Sequence, residues 1–186
     1  MTVVDVVKEV VDALSEKGID SVIVGEICLE LLFKIPVEVN NFAVFSLNKS
    51  PFLEPQVFEE IGLEKGWDVG FTDIGTPYYL IRRNADEYVV EIIENIGDIY
   101  IPDKMLKNAI QLKIDKVKIK VLRLEDYIIV ACRASRPEDF AFLDKIKKLK
   151  ALGKIKINSK YLAKNISLFK EDENFIRRRL SEYHIL

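Results

Sequence analysis

Few side chains in this 186-residue sequence are of the types that do chemistry, and their spacing narrows the choice. The single histidine, His184, is the third residue from the end, and Cys28 and Cys132 are far apart with no Cys-x-x-Cys. A zinc site or a histidine-based acid–base site therefore lacks material. Each cysteine falls in an apolar helical pattern and is expected to be a buried thiol in a reducing compartment. The carboxylates are more suggestive. Glu91 interrupts the apolar run YVVEII, where it could bind a metal ion or simply line the solvated face of a strand. Glu125 and Asp126 open an apolar segment. Negative charge at a helix N-terminus is favourable by about 0.3–1 kcal/mol, enough to explain both without catalysis. Arg136 and Asp139 flank Pro137 as a cap or ion pair would. The glycines at 62, 66, 70 and 75 are followed by no Gly-Lys-Ser/Thr, so they form no phosphate loop.

Charge is unevenly distributed. Residues 1–140 hold 16 basic and 25 acidic side chains, a net of −9, and residues 141–186 hold 12 and 5, a net of +7. Lys145, Lys147, Lys148, Lys150, Lys154, Lys156 and Lys160 could neutralise nucleic-acid phosphates. They alternate, however, with Ile146, Leu149, Leu152, Ile155 and Ile157, as an amphipathic surface requires. No aromatic residue falls between Phe142 and Tyr161 to stack on bases. A solvated face is the better reading, and Arg177–Arg179 are equally ambiguous. Nucleic acid is thus not the expected partner. No apolar run reaches the ~18–20 residues of a membrane span, and Asp5, Lys8 and Glu9 make the N-terminus an amphipathic helix, not a signal peptide. A cytoplasmic location is expected. Scarce glutamine (Gln56 and Gln111) beside abundant Lys, Glu and Ile resembles thermophile composition.

The elements that would position these groups follow from periodicity. Valines 3, 7, 10 and 11 with Leu14 predict a helix over 3–17, capped by Thr2 and ended by Gly18. Ser21–Val24 reads as a strand, Gly25 as a turn, and Glu26–Phe33 as a helix stopped before Pro36. Asn41–Leu47 is a buried strand and Pro55–Lys65 a helix. Strands follow at Trp67–Phe71, Tyr78–Arg83 and Tyr88–Ile93, the last two joined by a turn at Asn84–Asp86. A short helix is expected over Asp103–Ile110, then a small hairpin of Leu112–Ile114 and Val117–Leu122. Leu124–Ser135 and Glu138–Leu152 are helical, and two short helices, 158–169 and 172–182, form the tail. This order implies an α/β fold with a mixed sheet backed by helices.

Two segments carry a resemblance. "GIDSVIVGEICLELLFKIPVEVNNFAVF", residues 18–45, and "VLRLEDYIIVACRASRPEDFAFLDKIKKL", residues 121–149, resemble the nucleotidyltransferase superfamily in its small prokaryotic branch, which includes the minimal nucleotidyltransferases and abortive-infection toxins. The resemblance implies an α/β nucleotidyltransferase-like mixed sheet of about five strands flanked by helices. We expect residues 1–157 to form that domain and 158–186 a helical extension packed on it.

The family's chemistry needs Asp-x-Asp on a strand, because residues i and i+2 face the same side and together hold divalent metal ions. In this alignment the pair falls on Asn41 and Ala43. The second glycine or serine after Gly25, where backbone amides approach a phosphate, is Glu26. The arginine and threonine before the strand become Val37 and Val39, and the helix lysine becomes Ala131, with Arg133 two residues on. Glu91 could stand as the third carboxylate. The resemblance therefore implies a nucleotidyltransferase fold with a degenerate site. Expected ligand-side positions are Gly25, Glu26, Asn41 and Arg133, with no metal and no cofactor. The leading expectation is a non-catalytic binding or regulatory protein, with a protein partner or a second copy as its associate. One alternative is a divergent nucleotidyltransferase using Glu26, Glu38 and Glu91, which would need Mg2+ and a nucleoside triphosphate. Another is a nucleic-acid-binding module acting through the basic C-terminal region.

Overall fold

A computed structural model describes residues 2–38, 40–96 and 99–186. In chain order the elements are α1 (Val3–Glu16), β1 (Ser21–Val24), α2 (Cys28–Phe33), β2 (Asn41–Ser46), α3 (Pro55–Lys65), β3 (Asp68–Phe71), β4 (Pro77–Arg83) and β5 (Asp86–Ile93). There follow α4 (Asp103–Lys107), β6 (Ile110–Ile114), β7 (Val117–Val121), α5 (Leu124–Ala134), α6 (Pro137–Ala151) and α7 (Ser159–Ile166). A 3-10 turn at Ser167–Asp172 then leads to α8 (Glu173–Glu182). Contacts divide the chain into two compact units. The first comprises Met1–Glu94 with Ala109–Val121, the second Asn95–Asn108 with Leu122–Leu186.

The first unit is a seven-stranded mixed sheet in the order β3-β4-β5-β2-β1-β7-β6. β1 runs antiparallel to β2 and parallel to β7, while β2 runs parallel to β5. The sheet is therefore larger than the five strands expected. The two extra strands are the β6–β7 hairpin, which joins the main sheet because Ile23 of β1 registers with Val121. That pairing spans nearly a hundred residues and leaves no local periodicity to read.

Helices α1 and α3 pack on one face of the sheet. Thr2 and Asp5 cap α1 reciprocally, with the Thr2 amide donating to the Asp5 carboxylate at 2.8 Å. Its valines at 3, 6, 7, 10 and 11 are buried with Leu14. Under α3 the Tyr79 hydroxyl donates to the carbonyl of Phe58 at 2.9 Å, and the Tyr79 ring lies 5.0 Å from that of Trp67. Burying a phenol this deeply raises its pKa, and the carbonyl satisfies its one donor.

In the second unit α5 is buried nearly all round, with α6, α7 and α8 packed against it. Tyr127 and Phe142 join α5 to α6 with ring centroids 4.7 Å apart. Ser135, in the left-handed region at φ 57°, ends α5. Arg136 is extended, as a residue before proline must be, and Pro137 starts α6. Arg179 of α8 lies between the rings of Phe140 and Phe175, 4.9 and 4.8 Å from their centroids, and donates to Ser135 Oγ at 2.7 Å.

Three local expectations need adjusting. The segment 103–110 is helical only to Lys107, since Ile110 pairs with Val121 as strand. Gly25–Ile27 form a turn, so α2 begins at Cys28 and not at Glu26. Leu152, counted on the apolar face of the lysine-rich segment, is 69% exposed. Both cysteines are buried outside any disulfide, and burial pushes the Cys132 thiol up to about 12. Among the described residues no helix is long and apolar enough to cross a membrane.

Candidate functional site

The site begins where β1 ends. Gly25 takes φ 107°, a conformation that side chains rarely adopt, and its carbonyl accepts from the Cys28 amide at 3.2 Å as the chain turns into α2. Directly across from Val24, the residue before that turn, stands Ala43 of β2. On the other side of β2, Ala43 registers with Glu91 of β5 and Asn41 with Val89. Glu91 in turn opposes Tyr78 of β4, which opposes Gly70 of β3. One row thus crosses five strands on one face: Val24, Ala43, Glu91, Tyr78 and Gly70. Asn41 shares that face two residues along β2, because alternate residues of a strand point the same way. Phe42 and Val44, on the opposite face, are buried in the core with α1 and α3.

Burial follows this division on β2, β5 and β4, while Val24 at the β1 end of the row is buried. Asn41 and Glu91 are exposed, Ala43 and Tyr78 half-buried. Ala43 and Glu91 stand on neighbouring strands about 4.8 Å apart, the separation at which two side chains could share an ion. Only one of them is a carboxylate. Asn41 offers a neutral carbonyl and Ala43 nothing, so this donor set does not fit magnesium, which is bound through carboxylates in a near-ideal octahedron. Among the described residues no three of His, Cys, Asp and Glu converge to hold a metal ion.

The other sequence-derived positions belong to other segments than this row. Glu26 is half-buried in the turn after Gly25, and Glu38 is exposed in the approach to β2. Val37 is buried, and its amide donates to the Glu30 carboxylate at 3.3 Å. Val39 lies outside the described residues. Arg133 belongs to α5 in the second unit, where it pairs with Asp172, while Ala131 is fully buried.

Asp126 is not the solvated helix-end charge that its sequence position suggests. It is fully buried, its Oδ2 accepting from the Tyr161 hydroxyl at 2.8 Å and its Oδ1 from Asn165 Nδ2 at 2.7 Å. Burial raises its pKa to about 6 against the pull of these hydrogen bonds. Arg123 lies 5.2 Å from the centroid of the Tyr161 ring. Glu125 does stay at the helix start, where Oε1 accepts from the Asn158 amide at 2.9 Å. An aspartate placed directly before the apolar run YIIVAC is the only sequence sign of this buried polar cluster. Arg136 and Asp139 form the expected ion pair and cap, with Asp139 fully buried.

The sequence profile of a family described as nucleotidyl transferase of unknown function matches residues 3–182. The chain belongs to this family. Its match spans both units and includes every position of the row above. Among solved structures, an antigenic nucleotidyltransferase-like protein from Paracoccidioides brasiliensis is similar at 19% identity and a TM-score of 0.50, covering 69% of this chain and 63% of that one. That likeness shows the fold alone, and the chain spans less than two thirds of the relative. The antibiotic-resistance factor ANT(2'')-Ia matches at 12% identity and a TM-score of 0.47, over 73% of this chain and 74% of its own. No curated protein matches. In this nucleotidyl transferase family member, strand β2 lies between β1 with its glycine turn and β5 with Glu91.

Proposed function

We propose that this chain is a non-catalytic member of its family, a binding or regulatory protein that keeps the nucleotidyltransferase scaffold without the metal chemistry. The observation behind this reading is the row Val24–Ala43–Glu91, with Asn41 beside it, on the sheet face next to Gly25. A two-metal site needs several carboxylates to offset the ions' charge and complete their coordination, and only Glu91 supplies one there. Glu26, in the turn where phosphate would approach backbone amides, adds repulsion. The two buried thiols fit a reducing cytoplasm.

Calorimetry with ATP and Mg2+ tests the proposal. Binding weaker than about 1 mM, some 4 kcal/mol of affinity, with no transfer of labelled nucleotide to any acceptor is the expected result. Micromolar binding, or any transfer abolished by Glu91→Gln, would overturn it and favour a divergent enzyme using Glu26, Glu38 and Glu91.

A further inference from the structure

Resting on that non-catalytic reading, we propose that the same sheet face holds a small organic ammonium ion between the Tyr78 ring and the Glu91 carboxylate. Tyr78 and Glu91 are direct cross-strand partners, a relation that puts their Cβ atoms about 5 Å apart. The Tyr78 ring leans the other way, across Gly70 on the neighbouring edge strand. A Cβ at Gly70 would overlap the end of that ring, so glycine there is what lets the aromatic lie down. Covering an edge glycine is a known stabilising device, and it accounts for one face of the ring. It does not account for the other groups in the row.

Among the described residues, neither the Tyr78 hydroxyl nor the Glu91 carboxylate nor the Asn41 amide has a hydrogen-bond or ion-pair partner. Arg82, on the same face of β4, is already engaged by Asp68 and Glu87, so these charges leave the face net negative. Half-buried Ala43 forms an apolar floor directly beside Glu91. A π-face, a carboxylate, a carboxamide oxygen and an apolar floor together suit a primary ammonium on a short alkyl body. The cation would meet the ring quadrupole and donate N–H bonds to Glu91 and Asn41. An anion would be repelled by the Glu91 carboxylate and the ring face.

The test is an amide chemical-shift titration of the full chain with n-butylammonium chloride, against sodium chloride at equal ionic strength. Shifts confined to residues around Gly70, Tyr78, Glu91 and Asn41, absent with sodium, are expected. Tyr78→Phe keeps the ring and should bind within about twofold, whereas Glu91→Gln and Tyr78→Leu should each weaken binding by about fivefold or more. Tetramethylammonium, which has no N–H to donate, should bind more weakly than butylammonium. A blocked lysine amide titrated alongside separates the two sources of the chemistry. Binding no tighter than butylammonium supports a free amine, and clearly tighter binding would replace the small ligand with a protein side chain. Equal response to sodium, shifts spread over every acidic residue, or unchanged binding in Glu91→Gln would overturn the site. Glu91 is exposed, so its variant tests the charge without disturbing the core. The magnesium–ATP experiment is separate: tight nucleotide binding overturns the non-catalytic reading, while loss of the ammonium response with weak nucleotide binding overturns only this site.

Discussion

Asp126 is the residue whose environment departs furthest from its place in the sequence. Burial disfavours its charged form, so the folded protein holds this proton more tightly than the unfolded chain does. The contribution of Asp126 to stability is therefore fully present below the ordinary aspartate value, near 3.8, and is lost as pH rises through about 6. At about 1.4 kcal/mol per pKa unit the loss is on the order of 3 kcal/mol. The Asp126→Asn variant removes the titration, and its carboxamide can still meet Tyr161 and Asn165 after a flip of one amide. Urea unfolding of both proteins from pH 4 to pH 7 is the measurement. The stability of the parent relative to the variant should fall across that window. Parallel curves would mean that Asp126 ionises in the fold as it does in water. The same residue scale explains Gly70, where Gly70→Ala should displace the Tyr78 ring and cut the butylammonium response while leaving the buried Tyr79 face intact.

At the scale of elements, β2 decides what chemistry the sheet can do. Its parity directs Phe42 and Val44 into the core, and the same alternation turns Asn41 and Ala43 to the face shared with Glu91. A strand has no freedom to change this without moving its whole apolar set. The double substitution Asn41→Asp with Ala43→Asp should therefore place three carboxylates on one face. Without an ion their repulsion should lower the melting temperature relative to the parent. With Mn2+ the variant should recover, by about 2.7 kcal/mol at a hundred times its Kd, and paramagnetic broadening should centre on residues 43 and 91. The parent should show neither response. A variant indifferent to Mn2+ would mean that these positions do not converge as the register requires.

At the scale of the whole molecule, the question is what the basic C-terminal region is for. Residues 141–186 carry a net charge of +7, yet their apolar side chains are among the most deeply buried. Leu162, Ile166, Ile176, Leu180 and Ile185 are all fully buried. Most of the charges lie on the surface of the second unit, where single ion pairs contribute only about 0–1 kcal/mol each. Apolar burial therefore outweighs them in holding the region in place. Leu162→Ala should cost about 2–5 kcal/mol and lower the melting temperature by roughly 5–15 °C. A region acting mainly as a nucleic-acid arm would instead tolerate that substitution, and salt-sensitive DNA or RNA affinity would fall on replacing Lys154, Lys156 and Lys160.

What the sequence determined by itself was local: the Thr2 cap, the valine face of α1, the Gly25 turn, the Asn84–Asp86 hairpin and the Arg136–Asp139 cap each depend on residues a few positions apart. It also established the absence of an Asp-x-Asp pair at positions 41 and 43, because that is a matter of residue identity and a spacing of two. The tertiary structure alone decided that the β6–β7 hairpin completes a seven-stranded sheet, that Glu91 sits beside Ala43 and opposite Tyr78, and that Asp126 is buried under α7. Those facts join segments separated by tens of residues. Neighbours on adjacent strands leave no periodicity in one another's sequence, and a buried carboxylate is spelled with the same letter as an exposed one.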